Sequence, residues 1–506
     1  MNKSTVSVFV LFTIFVTATI KAQTFTDVRA NLTGVAGSAA GWIDNDRDGD
    51  PDVFVAGEFF RSQANGISTR IYNNHRNDRF TNVQSNIPDF HRGAFAVGDL
   101  DLDGINDIGI VGEAANGQRI AYVMKGLANG SYQKMPVSLT GVRDGSIAFA
   151  DMDGDGDLDI LISGEATAGS VTLIYRNDRN MKFSAVNHAI PGVKRGMASW
   201  SDFNLDGLPD VFISGIDPAG NVISQLYQNT GAGFRKHPTI FTGLKNAHHA
   251  FGDADNDGDD DLLMTGETAQ GQPLTLLYVN NRSGFQLRQT TLVNVSDGFA
   301  DWGDMDLDGD LDVLISGMSA NGAVSKVYAN DRNFQFRDIR ANIIPLYNSS
   351  GQWGDYDLDG DLDIVIAGIS NTHQPEARVY RNGVIEKQKS TALSSSFSKL
   401  NLSSAHPTRN KPVWFYVYSS SYSDLHKVGK KDYYMFVSPV KKPAKSYEME
   451  EKFQSLLIQT YPTWFRVDQG NIVQNGFPTK NEAEKSRTEM IHNYQTKGFK
   501  LVEVNW

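Results

Sequence analysis

The 506 residues include no cysteine. That removes disulfides, thiolate catalysis, cysteine-ligated zinc and a lipid-modified cysteine in one step. A surplus of positive charge is also missing: 47 Lys and Arg face 59 Asp and Glu, a formal net charge of -12. This disfavours general nucleic-acid binding. Beyond the N-terminus no run is long and apolar enough to cross a membrane. There is no Ser elbow, no metalloprotease helix and no GK[ST] phosphate loop. His248-His249 has no further ligand or base at a defined spacing. What the chain does have is glycine, 47 residues of it, which calls for many turns.

The N-terminus reads MNKSTVSVFVLFTIFVTATIKAQ, with Lys3 ahead of an apolar run and Ala22 ahead of Gln23. Residues 1–22 are expected to be a secretory signal peptide, with a retained signal anchor as the alternative. The protein is therefore expected to be exported, whether to the medium, the periplasm or the cell surface. After cleavage no transmembrane segment is expected. An exported chain without disulfides needs packing or metal for its stability.

Seven acidic segments recur. They start at Asp44 (DNDRDGDPD), Asp99 (DLDLDGIND), Asp151 (DMDGDGDLD), Asp202 (DFNLDGLPD), Asp253 (DADNDGDDD), Asp304 (DMDLDGDLD) and Asp355 (DYDLDGDLD). The intervals are 55, 52, 51, 51, 51 and 51 residues, a structural period. A short apolar stretch enters each loop, and a strand such as VFVAG, ILISG or IVIAG leaves it. A polar turn, a segment such as VTLIYRN and a short Phe-led stretch follow. Four short strands per unit predict the blades of a seven-bladed β-propeller, a mainly-β fold spanning residues 23–385. The seventh unit lacks its Phe-led strand. TFTDVRANLTGV, from Thr24, resembles FQFRDIRANI and is expected to complete that blade. A fibrous β-roll is the rival fold, but its acidic units would recur about every nine residues.

Positions 1, 3, 5 and 9 of each loop place oxygen donors on a wrapping chain, with glycine at position 6 allowing the sharp turn. The candidate metal ligands are Asp44, Asp46, Asp48 and Asp52; Asp99, Asp101, Asp103 and Asp107; Asp151, Asp153, Asp155 and Asp159; Asp202, Asn204, Asp206 and Asp210; Asp253, Asp255, Asp257 and Asp261; Asp304, Asp306, Asp308 and Asp312; and Asp355, Asp357, Asp359 and Asp363. Hard oxygen ligands without nitrogen or sulfur favour Ca2+ over Mg2+, up to seven ions in all. Asn204 should make the fourth site the weaker one. An EF-hand is excluded, because position 12 is Val55, Ile110, Ile162, Ile213, Met264, Ile315 or Ile366 instead of Glu.

These units resemble the FG-GAP/VCBS repeats of integrin-α-like propellers, over about Thr24 to Ile385. The resemblance implies calcium in the hairpin loop between the first two strands of a blade, held by the Asp or Asn at positions 1, 3, 5 and 9. Charge agrees with this. Residues 23–385 hold 27 Lys/Arg and 48 Asp/Glu, a net of -21, which seven divalent ions would bring to -7.

The acidic hairpins should share one face of the ring. The other face, more variable among the repeats, is the expected partner site, with Glu58, Phe59, Phe60, His91, Arg92, Glu113, Arg143, Arg195 and His249 as candidates. After a linker at 386–409, residues 410–506 are expected to form a small α+β domain. It follows a segment change that leaves +7 from Glu386 onward (18 Lys/Arg, 11 Asp/Glu). Its AEKSRTEMIHNYQTKGFKLVEV is faintly similar to the helix-strand unit of SPOR-type peptidoglycan-binding domains. The expected function is that of a calcium-stabilised adhesion or interaction module for an extracellular or envelope protein or glycan. The alternatives are a carbohydrate-active enzyme using the propeller face as its cleft, or a scaffold presenting the C-terminal unit.

Overall fold

The computed structural model describes residues 25–61, 64–179 and 181–383, the strands Trp414–Ser423, Asp432–Val437, Ile472–Phe477 and Lys500–Glu503, and a few helical residues between 480 and 491. The expected signal peptide and linker lie outside these residues, as do WFRVDQG and EMEEKFQSLLIQTY. The chain divides into two compact units, Met1–Ser398 and Lys399–Trp506.

The first unit is a seven-bladed β-propeller. Seven four-stranded antiparallel sheets follow one another along the chain. Blade 1 runs Ala36–Ile43, Asp52–Arg61, Ala64–Asn74 and Phe80–Val83, each strand paired with the next. At six of the seven junctions the first strands of neighbouring blades touch, those of blades 7 and 1 included, so they line the axis. The second strands lie between sheets and are buried on both sides. Val53 to Ala56 and Ile364 to Ala367 are almost wholly covered. This is why they read as unbroken apolar runs and not as alternating ones.

Closure follows the expected route. Phe25–Asp27 is the fourth strand of blade 7, with Phe25 opposite Asn382 and Asp27 opposite Tyr380. Neighbouring blades interlock near the axis. The glycine that ends one first strand receives the aromatic ring of the next: Gly303 takes Trp353, and Gly354 takes Trp42. A Cβ on Gly354 would stand 2.5 Å from the Trp42 indole, so only glycine fits there.

In the second unit the described strands form one sheet, in the order Ile472–Phe477, Trp414–Ser423, Asp432–Val437, Lys500–Glu503. The last pair is parallel. Among the described residues no helix is long and apolar enough to cross a membrane.

Candidate metal centres and the opposite face

Every acidic segment is the hairpin between the first and second strands of its blade, and every second strand begins at the position-9 Asp. All seven loops therefore sit on one face. In at least five of them three carboxylates converge, with oxygens within 4.8 Å of one another: Asp44, Asp46 and Asp48; Asp99, Asp101 and Asp107; Asp151, Asp153 and Asp159; Asp253, Asp255 and Asp257; Asp304, Asp306 and Asp308. In loop 4 the Asn204 amide instead donates to Asp206 Oδ2 at 3.0 Å.

Backbone hydrogen bonds hold the ligand side chains in place. The position-1 carboxylate accepts the N–H groups of positions 5 and 6, as when Asp308 and Gly309 donate to Asp304, both at 3.1 Å. The same pair of bonds recurs on Asp99, Asp151, Asp202, Asp253 and Asp355. Glycine at position 6 turns the chain at positive φ, 89° at Gly309. Position 3 is different. Asp101, Asp255, Asp306 and Asp357 each bury an Oδ1 that has no hydrogen-bond donor. A buried, unpaired carboxylate oxygen is costly; at Asp255, Asp306 and Asp357 it suits a divalent ion, whereas Asp101 has the Lys125 ammonium on its other oxygen. These loops can hold a divalent ion.

The position-9 carboxylates are the most buried. Asp312 accepts from Met305 N–H at 3.0 Å and from Asn330 N–H at 2.8 Å, tying the loop to the third strand. Burial pushes the affinity of these groups for a proton upward against those hydrogen bonds. Asp107 and Asp159 rise to about 6, Asp52 and Asp261 to about 7, Asp210 and Asp312 to about 8, and Asp363 to about 9.

Two recurring partners escaped the sequence reading. The first is the asparagine that ends a third strand. Its side-chain Nδ2 reaches the position-2 carbonyl of the preceding blade's loop: Asn177 to Leu100, Asn229 to Met152, Asn280 to Phe203, Asn330 to Ala254, Asn382 to Met305 and Asn74 to Tyr356, at 2.7–2.9 Å. Six of the seven loops are thereby bonded to the next blade. In blade 2 Gly126 stands at this position and has no side chain to make the bond. The second partner is the arginine two residues after the asparagine. Arg76, Arg282 and Arg332 meet the position-7 carboxylates Asp50, Asp259 and Asp310 at 3.2–3.3 Å. Those carboxylates are therefore occupied by arginine. The repeated N-x-R was visible in the sequence, but its partners were not. Replacing Asn382 by Ala leaves the Met305 and Leu362 carbonyls without this donor. The expected loss is about 2–3 kcal/mol, read as a lower denaturation midpoint at unchanged slope.

The FG-GAP-like repeat family matches residues 99–162, 202–264 and 304–366. Each segment spans two of these loops and the strands between them. The chain bears FG-GAP-like repeats. No curated protein matches the sequence. Among solved structures, the Vibrio cholerae biofilm matrix protein Bap1 is 16% identical, covering 71% of this chain and 68% of its own, with a TM-score of 0.29. A mutant of AofleA from Arthrobotrys oligospora is 11% identical (61% and 88% covered, TM-score 0.39). The Aleuria aurantia lectin bound to α-methyl-L-fucoside is 9% identical (61% and 96%, TM-score 0.37).

On the other face of the FG-GAP propeller, most of the expected partner residues are engaged with one another. His91 contacts both Glu58 and Glu113, and Arg143 bridges Glu113 and Glu165. Lys194 extends the chain to Glu165 at 3.2 Å. The recurring glutamates thus link blades 1 to 4 through His91, Arg143 and Lys194. Arg143 holds the Glu165 carboxyl below the usual range. Phe60 is exposed, while the ring of Phe59 lies over Gly66. His249 does not belong to this face. It is 3% exposed, stacks edge-on against Phe212 and bonds Ser199 Oγ at 2.7 Å. Burial, and then His248, keep it neutral. Strand alternation gives the channel position to His248 instead, one residue earlier.

At the mouth of the channel on this face a ring of seven residues repeats a left-handed backbone: Gly37, Arg92, Asp144, Arg195, Asn246, Asp297 and Asn348, with φ from 45° to 55°. In six of the seven blades the pairing register shifts at this residue, a β-bulge. A glycine follows in four blades, because a Cβ there would strike the second strand; at Gly145 it would lie 1.9 Å from the Ser163 carbonyl oxygen. The sequence shows these sites as HRG, RDG, KRG and SDG, in the segments that lead into the first strands. Their seven-fold register needed the structure.

Proposed function

We propose that this is an exported, calcium-stabilised propeller that acts as an adhesion or interaction module and takes a protein or glycan partner at the channel mouth opposite the metal loops. One observation carries the reading: six non-glycine residues adopt a left-handed backbone around one cavity. Each such residue costs on the order of 1 kcal/mol, and strain of this kind concentrates at ligand sites. The cavity holds ≈ 690 Å³ and is lined by that ring, with Ser146, Ser349 and His248 among the polar groups and Phe95 and Phe299 among the aromatic ones. Such a mixture of a few convergent polar groups over aromatic walls suits a small polar ligand or the tip of a larger one.

The ring's side chains differ in their freedom. Arg92 is paired with Asp144, and Arg195 Nε donates to Asn246 Oδ1 at 2.8 Å. Asp297 and Asn348 make no side-chain hydrogen bond among the described residues. Arg195, Asp297 and Asn348 are the groups assigned to the partner. Calcium is the ion because the donors are all hard oxygens on loops of flexible geometry. Its role is to neutralise and fix the hairpins, so that the opposite mouth stays rigid.

The test is binding of purified propeller to an array of glycans and to envelope and matrix fractions, comparing wild type with Arg195→Ala and Asp297→Asn. Losing a hydrogen bond to a charged group costs about 1.5–3 kcal/mol, so each variant should weaken a bound partner by about tenfold to a hundredfold. A partner held equally well by both variants moves the site elsewhere.

A further inference from the structure

Loop 2 differs in carrying a lysine that ion-pairs with two of its own carboxylates. The residue before the third-strand terminus is Asn73, Arg176, Gln228, Val279, Ala329 or Arg381 in the other blades, but Lys125 in blade 2. Its ammonium forms ion pairs with Asp101 and with Asp103, the latter at 2.7 Å. These are positions 3 and 5, two of the carboxylates that would face a cation. The cations at the equivalent position in other blades turn elsewhere. Arg176 bonds Asp178 at 2.7 and 2.9 Å, and Arg381 bonds Asp78 at 2.9 and 3.1 Å. Asn73 of blade 1 also reaches a position-3 carboxylate, Asp46 at 2.6 Å, but as a neutral amide.

Loop 2 is also less acidic. Ile105 occupies position 7, leaving four carboxylates where four loops have five, loop 5 has six and only loop 4, with three, has fewer. One ammonium on two of the four relieves part of their repulsion without a bound ion. It is also tethered, so it competes with free calcium at high effective concentration. A divalent ion entering here would have to expel the lysine from two charge-assisted contacts.

We propose that Lys125 is the resident cation of loop 2, and that this loop stands in the ring without calcium, so that the propeller takes at most six ions. This rests on the calcium reading of the remaining loops. Native mass spectrometry of the purified chain, at free calcium that saturates the wild type, counts the ions directly. Lys125→Met should bind one ion more than wild type. Asp103→Asn should bind as many as wild type, whereas Asp155→Asn, its counterpart in loop 3, should bind one fewer. Equal counts for Lys125→Met and wild type, or an ion lost from Asp103→Asn, overturn the proposal. If Lys125→Met does not fold, the Asp103→Asn count decides. An unchanged count in Asp155→Asn defeats the calcium reading itself, a separate outcome.

Discussion

Dialysis against a strong chelator should lower the melting temperature of this protein by about 20 °C at pH 8. An ion that binds only the folded chain adds about 2.7 kcal/mol when its free concentration is a hundred times its dissociation constant. Six such ions add about 16 kcal/mol. Unfolding entropy of about 2.1 cal/mol/K per residue, over the propeller's roughly 360 residues, converts this to about 20 °C. The pH dependence carries its own sign. The position-9 carboxylates bind a proton more tightly in the folded chain than in the unfolded one, because burial raises them to between about 6 and about 9. The stability this lends is complete below about pH 4 and is lost as the pH climbs through that range. Ion-free protein should therefore melt higher at pH 5 than at pH 8. Calcium takes over the neutralising role of those protons and should remove or reverse the difference. Differential scanning calorimetry in chelator, then with calcium or magnesium restored, measures all of this. A melting temperature indifferent to verified calcium removal would falsify the metal account.

Phe25→Ala should cost about 3–5 kcal/mol, a fall in melting temperature of about 5 °C for a domain of this size. Phe25 is 5% exposed, its ring lies 5.9 Å from that of Trp353, and it packs with Leu346, Ile364 and Tyr380 of the last blade. Its backbone covers the edge of Pro375–Asn382. Truncation past Asp27 should do more than lower stability. It bares a sheet edge, and bared edges pair with other chains. Gel filtration of the truncated protein should show dimers or larger species where the full chain runs as one species. A truncated chain that stays monomeric and melts with the wild type would show that the N-terminal strand does not close the ring.

Much of this was legible because the repeat is written in short local patterns. The 51-residue period, the D-x-D-x-D-G-x-x-D loops and the likeness of TFTDVRANLTGV to FQFRDIRANI fixed blade number, loop placement and closure before any coordinates. What stayed hidden were contacts between units. Asn382 and Met305 lie 77 positions apart, and no spacing within one blade pairs them. Lys125 looked like any strand lysine until folding brought it across to Asp101 and Asp103. His249 was placed on the surface because the bulge before it shifts the alternation by one residue. Here the bulge leaves only Asn246-Ala247 in the sequence, and in other blades Arg-Gly or Asp-Gly, dipeptides that equally suit a turn.

Gly126 leaves one joint of the wheel unbolted. Six of seven junctions carry an asparagine amide locked onto the neighbouring loop; the junction of blades 1 and 2 does not. The covalent gap in the chain lies within blade 7, under the cover of the N-terminal strand. The seam closed by the N-terminal strand and the junction that lacks an asparagine lock are thus different places, and breathing motions are expected to part the second without disturbing the first.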